Sequence, residues 1–318
     1  MSTQRTAVVI FLGVVLSILA GCIPATEVKL NLAERTETVY KVALQSSKDY
    51  AFVQPSINKT KERHTVSRIE MVFAQKIESV DQEGNATADI TIKEFKYLSE
   101  DPQGKALDFN STAEGSSSDP LFALVGQSYK IKITPNGKVE IVDAKAARES
   151  VKGGFAQKFA ERLLSDEDIA KRHQVLALMD ASQALYKKGD KWSTVTAAPS
   201  GMLRQRSFEK VYTLTDIKEQ KDGKIAVIDM NAVPSSKRAE NMQEDEVKAN
   251  FFANNFEEKD SYNGKMVLNL TTGEIDSYQE TLKAEWFVAE SPEKQKSDKG
   301  PDQLTIGFSS LYSIEKVN

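Results

Sequence analysis

The feature that most restricts the fold of this chain is an alternation of apolar and polar residues that recurs around glycine-bearing turns. Tyr40, Val42 and Leu44 alternate with polar or small residues, and a stronger run follows at Ile69, Met71, Phe73 and Ile77. Asp81-Gln82-Glu83-Gly84 then supplies turn chemistry, and Ala86, Ala88, Ile90 and Ile92 alternate again. A period of two puts every second side chain on one face of a strand, so two such runs around a turn predict a β-hairpin. A second hairpin is better defined: Tyr129, Ile131 and Ile133, the turn Pro135-Asn136-Gly137, then Val139 and Ile141. Asn-Gly between alternating apolar runs is the strongest short-range hairpin signal. Between the hairpins, 99–120 is rich in Ser, Gly, Asp and Asn, with Leu107 and Phe109 as its main apolar residues, and reads as an exposed loop.

The period then changes. Phe155, Phe159 and Leu163 recur every four residues, and Val175, Leu176, Met179 and Leu185 recur at helical spacings. Ser165 followed by Asp168 resembles a capping box. Gly153-Gly154 marks a break between helical segments. These signals predict helices over 145–164 and 166–187, closed by Gly189.

After Trp192 the β pattern returns. Phe208, Tyr212 and Leu214 precede Lys221-Asp222-Gly223, which leads into Ile225 and Val227; later Met266, Leu268 and Leu270 precede Thr271-Thr272-Gly273 and Ile275. Gly84 and Gly223 are separated by nearly the same offset as Gly137 and Gly273. That is what a duplicated β module gives, and also what two unrelated pairs of hairpins give. A polar connection, 234–263, carries Phe251, Phe252 and Phe256, read as a short helix packed on the sheet. Leu282, Trp286, Phe287 and Val288 form a further strand, and Leu304, Ile306 and Phe308 the last. The fold class expected is mainly β (α+β): antiparallel sheets with a central helical pair, either as two modules bridged by helices or as one curved sheet wrapped around them. The segments are a signal peptide at 1–21, a tether at 22–36, an N-terminal β module at 37–143, a helical insert at 144–189 and a C-terminal β module at 190–318.

Arg5 and an apolar stretch of about 14 residues, Ala7 to Ala20, open the chain. A membrane-spanning helix needs roughly 20, so this stretch reads as a signal peptide. Leu19-Ala20-Gly21-Cys22 at its end resembles the lipobox of bacterial lipoproteins. That resemblance implies recognition of Leu19, Ala20 and Gly21 by the signal peptidase, a diacylglyceryl group on the Cys22 sulfur, cleavage before Cys22 and acylation of the new amine. It also implies attachment to a membrane through that lipid. In such lipoproteins Asp after the cysteine favours the inner membrane; here Ile23 and Pro24 follow, which points to the outer membrane, facing the periplasm.

Composition removes several chemistries. Cys22 is the only cysteine in 318 residues, so none is left for a disulfide, a thiol nucleophile or a thiolate metal site. A net charge of −4 without a basic cluster argues against nucleic acid as a partner. Only His64 and His173 exist, each flanked by charged or polar residues and read as surface histidines, so no zinc or copper site and no other cofactor is implied. No Gly-x-Ser-x-Gly elbow is present, and Ser-x-x-Lys at Ser56/Lys59, Ser207/Lys210 and Ser291/Lys294 is at chance level in this chain. No catalytic residue is assigned. A carboxylate pair is harder to exclude among 46 acidic residues, although Asp81, Glu83, Asp222 and 257–260 read as solvated turns and loops.

The order of elements resembles periplasmic lipid-carrier and lipoprotein-chaperone folds, in which a half-barrel closes over helices and encloses an apolar cavity. The segment Val80-Asp81-Gln82-Glu83-Gly84-Asn85-Ala86, with the later Asn-Gly hairpin, resembles uncharacterised β-rich lipoproteins carrying Val-Asp-x-x-Gly-x-Ala. Three functions follow. A non-enzymatic, membrane-anchored envelope protein that binds a protein partner or acts as a scaffold has a filled core and an exposed apolar patch. A hydrophobic-ligand carrier has an unfilled cavity lined by Met71, Phe73, Phe155 and Phe159. A hydrolase has two carboxylates facing each other in a cleft. The first is the leading expectation.

Overall fold

The computed structural model describes residues 25–101, 103–180, 185–203, 205–221, 223–239, 242, 256–291, 293, 295 and 298–317, with the side chains of 105 and 106 left aside. Cys22 and the lipobox residues Leu19, Ala20 and Gly21, together with Asp222, Phe251 and Phe252, lie outside the described residues.

Both β segments join a single antiparallel sheet of twelve strands. The strands are β1 (Glu37–Gln54), β2 (Lys59–Val80), β3 (Ala86–Asp101), β4 (Gly104–Asn110), β5 (Ser128–Ile133), β6 (Val139–Asp143), β7 (Lys191–Ala197), β8 (Ser207–Gln220), β9 (Gly223–Ser235), β10 (Glu257–Asn269), β11 (Glu274–Ala289) and β12 (Gln303–Val317). Their order is β6-β5-β3-β2-β1-β12-β11-β10-β9-β8-β7, with β4 paired on β3. The first and last strands therefore meet at the centre, Val42 opposite Ile314, while the edges β6 and β7 are consecutive in sequence. The helical insert spans those two edges. It consists of α1 (Lys145–Arg148), α2 (Gly154–Leu163), α3 (Asp166–His173) and α4 (Leu176–Met179).

The alternating residues do what the period predicts. Met71 and Phe73 on β2, Ala86, Ala88, Ile90 and Ile92 on β3, and Tyr212 and Leu214 on β8 turn toward the helices with no exposed surface. The four predicted turns at Gly84, Gly137, Gly223 and Gly273 close the β2–β3, β5–β6, β8–β9 and β10–β11 hairpins at one end of the sheet. The Val80–Ala86 segment has a local physical reason. Asp81 accepts hydrogen bonds from the backbone N–H groups of Glu83 (3.0 Å) and Asn85 (2.9 Å) and pairs with Lys132 of β5. The Asn85 side-chain hydrogen bond, then the Lys132 bond, hold its carboxyl well below the usual range.

Four expectations are corrected. The helical pair is four short pieces: Gly153 and Gly154, both at positive φ, break it as anticipated, and Ser165 caps α3 by accepting from Asp168 N–H. However, α3 stops at His173 and α4 at Met179, so Gly189 closes no helix. The inward face of α4 is Ala177 and Leu178, while Leu185 is 52% exposed. The stretch 99–120 is only partly loop, because Phe109 on β4 pairs with Tyr97 and packs on Phe95, drawing a polar segment into a hairpin. Phe256 leads directly into β10 and packs on the core.

The fourth correction concerns the tether. Thr26 exchanges backbone hydrogen bonds with Tyr186, Leu30 donates to the Pro135 carbonyl, Asn31 donates to the Gly273 carbonyl, and Val28 and Leu30 are buried. The chain is thus fixed from Thr26 onward at the end of the sheet that carries the four glycine turns. Gly273 sits at φ +70°, where a Cβ would lie 2.3 Å from the Asn31 nitrogen. Gly273→Ala is expected to cost roughly 2 kcal/mol and to expose 26–31 to limited proteolysis. Unchanged stability with full protection of that segment would refute the contact.

Candidate functional site

Two places in the fold concentrate chemistry: the concave interior and the far end of the sheet. The interior is polar at its centre. Lys210 of β8, 2% exposed at its side chain, donates to both carboxylate oxygens of Glu280 on β11 at 2.8 and 2.7 Å. Two strands separate β8 from β11, about 14 Å along the sheet, so the contact requires the sheet to curl inward. Gly264 makes room for it: opposite both Met230 and Glu280, it leaves empty the position where a Cβ would meet the Gln279 carbonyl at 2.6 Å. Tyr262 and Tyr278 donate to the same carboxylate, and the Lys210 ammonium stands 4.8 Å from the centre of the Tyr262 ring. Burial pushes the Glu280 carboxyl up, yet the Lys210 ammonium and the tyrosine donors outweigh it and hold the group ionised, below its ordinary range. Burial, with the Glu280 charge second, pushes the hydroxyls of Tyr212, Tyr262 and Tyr278 well above theirs.

A second polar knot ties the helices to the sheet. His173, expected at the surface, is buried: its Nε2 lies 2.6 Å from the Tyr129 hydroxyl and its ring meets Phe73 edge-on at 4.8 Å. Burial, then the neighbouring Arg172 charge, holds it well below the ordinary histidine range. Arg172 is buried as well and donates to the Leu163 carbonyl at 2.6 Å, while its own carbonyl accepts from Tyr312 of β12. His64 is exposed as expected and pairs with Asp49 at 2.6 Å. Glu258 and Asp260, expected in a solvated loop, lie on β10 and share Arg206. Among the described residues no three His, Cys, Asp or Glu side chains are grouped to hold a metal ion.

The four residues read as a cavity lining do not line one. Met71 and Phe73 have no accessible surface, which a wall facing even a water-sized void would retain. Phe159 packs on Phe95 and Tyr97, and Phe155 stacks on Phe159 at 6.0 Å while being 56% exposed. They form one apolar run from filled interior to surface.

The far end of the sheet is the open one. There β1, β2, β11 and β12 continue past the helices; from Tyr40 to Gln54 alone is about 45 Å of strand. The even-numbered residues of β1 that face the interior at Val42 face a groove here. Lys48, Tyr50, Lys61, Arg63 and Thr65 line it, around a volume of about 390 Å³. Lys48 stands opposite Thr65, Tyr50 opposite Arg63 and Phe52 opposite Lys61, so all share one face. No sequence signal marked this groove, because its cations are spread over two strands and meet only through register.

A curled antiparallel sheet packed on short helices, with a filled polar-centred interior and a projecting arm, defines a mainly β protein of the α+β class. Residues 83–275 match the model of a family described as "Family of unknown function (DUF6263)", and the chain belongs to that family. No curated protein matches it. Among solved structures, one on lipid–protein interactions in lipovitellin is similar at 9% identity and a TM-score of 0.42, covering 90% of this chain but only 25% of that one. An outer membrane lipoprotein-sorting protein domain from Vibrio parahaemolyticus is similar at 6% identity and TM-score 0.15, over 85% and 84% of the two chains. A DUF1329 family protein from Desulfovibrio piger is similar at 11% identity and TM-score 0.16, over 87% and 85%. Function has to be argued from this chain's own geometry.

Proposed function

We propose that the protein is a bacterial envelope lipoprotein, anchored by lipid on Cys22, that acts without catalysis by presenting the projecting arm to a protein partner. The observation that carries this reading is the close packing of the interior among the described residues: Met71, Phe73, Ile90 and Tyr212 have at most 1% exposure where a carried lipid would sit. Polar centres add to it, since a lipid tail placed there would have to displace the Lys210–Glu280 pair from its hydrogen bonds. Of the carboxylates that the fold brings near one another, Glu258 and Asp260 are shared with Arg206, and Glu274, beside Asp276, is held by Lys316 and Thr38.

The anchor and the arm fit one arrangement. Thr26 is fixed at the glycine-turn end, and the chain between it and Cys22 spans at most about 14 Å. A lipid on Cys22 would hold that end at the membrane and direct the groove away from it. Stable anchoring by such lipid needs more than one acyl chain, which a fully modified lipoprotein cysteine carries.

Native mass spectrometry of the full chain, extracted from membranes in detergent, tests the reading. The expected spectrum is a chain beginning at Cys22 with covalent acyl groups and no further lipid. A stoichiometric non-covalent lipid would install the carrier reading instead, and an unmodified cysteine would remove the anchor.

A further inference from the structure

We infer that the arm binds an acidic, extended peptide as an added β-strand along the edge at Lys59–Thr65, with its carboxylates in the basic groove. This rests on the reading of the protein as a binding module and names the chemistry of the partner. β2 pairs with β1 along the whole of this stretch, but its pairing with β3 begins only at Val66, opposite Glu100. Among the described residues nothing pairs with the other side of Lys59–Thr65. An open edge offers a row of backbone donors and acceptors ready to accept another strand.

The charges on that edge are sorted by face. On the outer face His64 pairs with Asp49, and Arg68 pairs with Glu70. On the groove face Lys59, Lys61 and Arg63 follow one another at every second residue, joined by Lys48 from β1. Among the described residues none of these four forms an ion pair, and Lys48, Lys61 and Arg63 are exposed. Like charges gathered on one face destabilise a sheet, and the chain as a whole is acidic, at −4. Protection of the edge against self-association accounts for lysines on β2, but not for Lys48, whose strand is paired on both sides by β2 and β12. The spacing matches a strand partner: cations two residues apart meet carboxylates two residues apart on the same face of an added strand. The same cations that repel a second copy's identical edge thus select an acidic one.

The probe is a short fluorescent peptide alternating Glu and Val, added to the full chain in detergent. It is expected to bind, to slow backbone hydrogen exchange at 59–65, and to lose about tenfold in affinity when Lys61→Glu and Arg63→Glu are combined. A Lys-Val peptide should bind that variant in its place, which also shows that the variant is folded. The Glu-Val peptide with alternate amides N-methylated keeps its charges but cannot pair, and should fail to bind. Equal binding of the methylated peptide, or equal competition by heparin, would replace strand addition with a general anion groove. No binding of the Glu-Val peptide at all would overturn the inference, while the lipid content read by native mass spectrometry judges the binding-module reading separately.

Discussion

Lys210→Met is expected to lower the stability of the protein by about 3–5 kcal/mol in urea denaturation, because it strands the Glu280 carboxylate in an interior site. The side chains of the pair are only 2% and 9% exposed, and the carboxylate's other donors are the neutral hydroxyls of Tyr262 and Tyr278. Those hydroxyls cannot replace the ammonium charge that holds Glu280 ionised against its burial. The double variant Lys210→Met/Glu280→Gln removes both charges and keeps an amide oxygen for the tyrosines. It should therefore be more stable than the single variant, the sign that distinguishes a stranded charge from lost packing. A single variant within about 1 kcal/mol of the wild type would mean that the pair is solvated and the sheet less tightly curled.

The second large effect is acid sensitivity through His173. Its proton affinity is depressed in the folded state, so the unfolded chain binds the proton first as pH falls. Stability is then complete above the unfolded value of about 6.5 and declines below it, by about 1.4 kcal/mol per pH unit until the folded value is reached. The carboxylates with lowered values, Glu280 and Glu274 among them, lose stability only at lower pH, near the ordinary carboxylate range. His173→Gln should be less stable overall and should lack the slope that opens below pH 6.5. A wild-type protein whose urea midpoint stays flat there would show that the ring is not held neutral between Tyr129 and Phe73.

Local rules carried the reading of the strands and failed where burial depends on distant partners. Asn136-Gly137 and Asp81 to Gly84 are turns whatever surrounds them, since their hydrogen bonds and positive φ values are satisfied within a few residues. The helical insert was legible as a change of period and at the Ser165 cap, but its pieces end where docking on the sheet requires. Val175 donates to the Gly137 carbonyl and Trp192 donates to the Ala177 carbonyl, contacts that stop α3 and α4 short of the predicted boundary. Phe155, assigned to an interior wall by its spacing from Phe159, belongs to the surface because Gly153 and Gly154 redirect the start of α2.

Histidine and lysine show the same division. His173 between Arg172 and Gln174, and Lys210 between Glu209 and Val211, sit in neighbourhoods that read as solvated. They are buried because Tyr129, Glu280 and Tyr262 come to them from β5, β11 and β10. The basic groove was illegible for the same reason: Lys48 and Arg63 share a face only once β1 and β2 are in register.

By itself, then, the sequence determined the mainly β class, the hairpin turns and which residues of each strand share a face, because these depend on periodicity and turn chemistry within about ten residues. The tertiary structure alone decided that β1 and β12 close both halves into one sheet, that the sheet curls until Lys210 reaches Glu280, and that its far end is left open. Pairing partners and curvature are set by contacts between residues far apart in the chain, which no local pattern encodes.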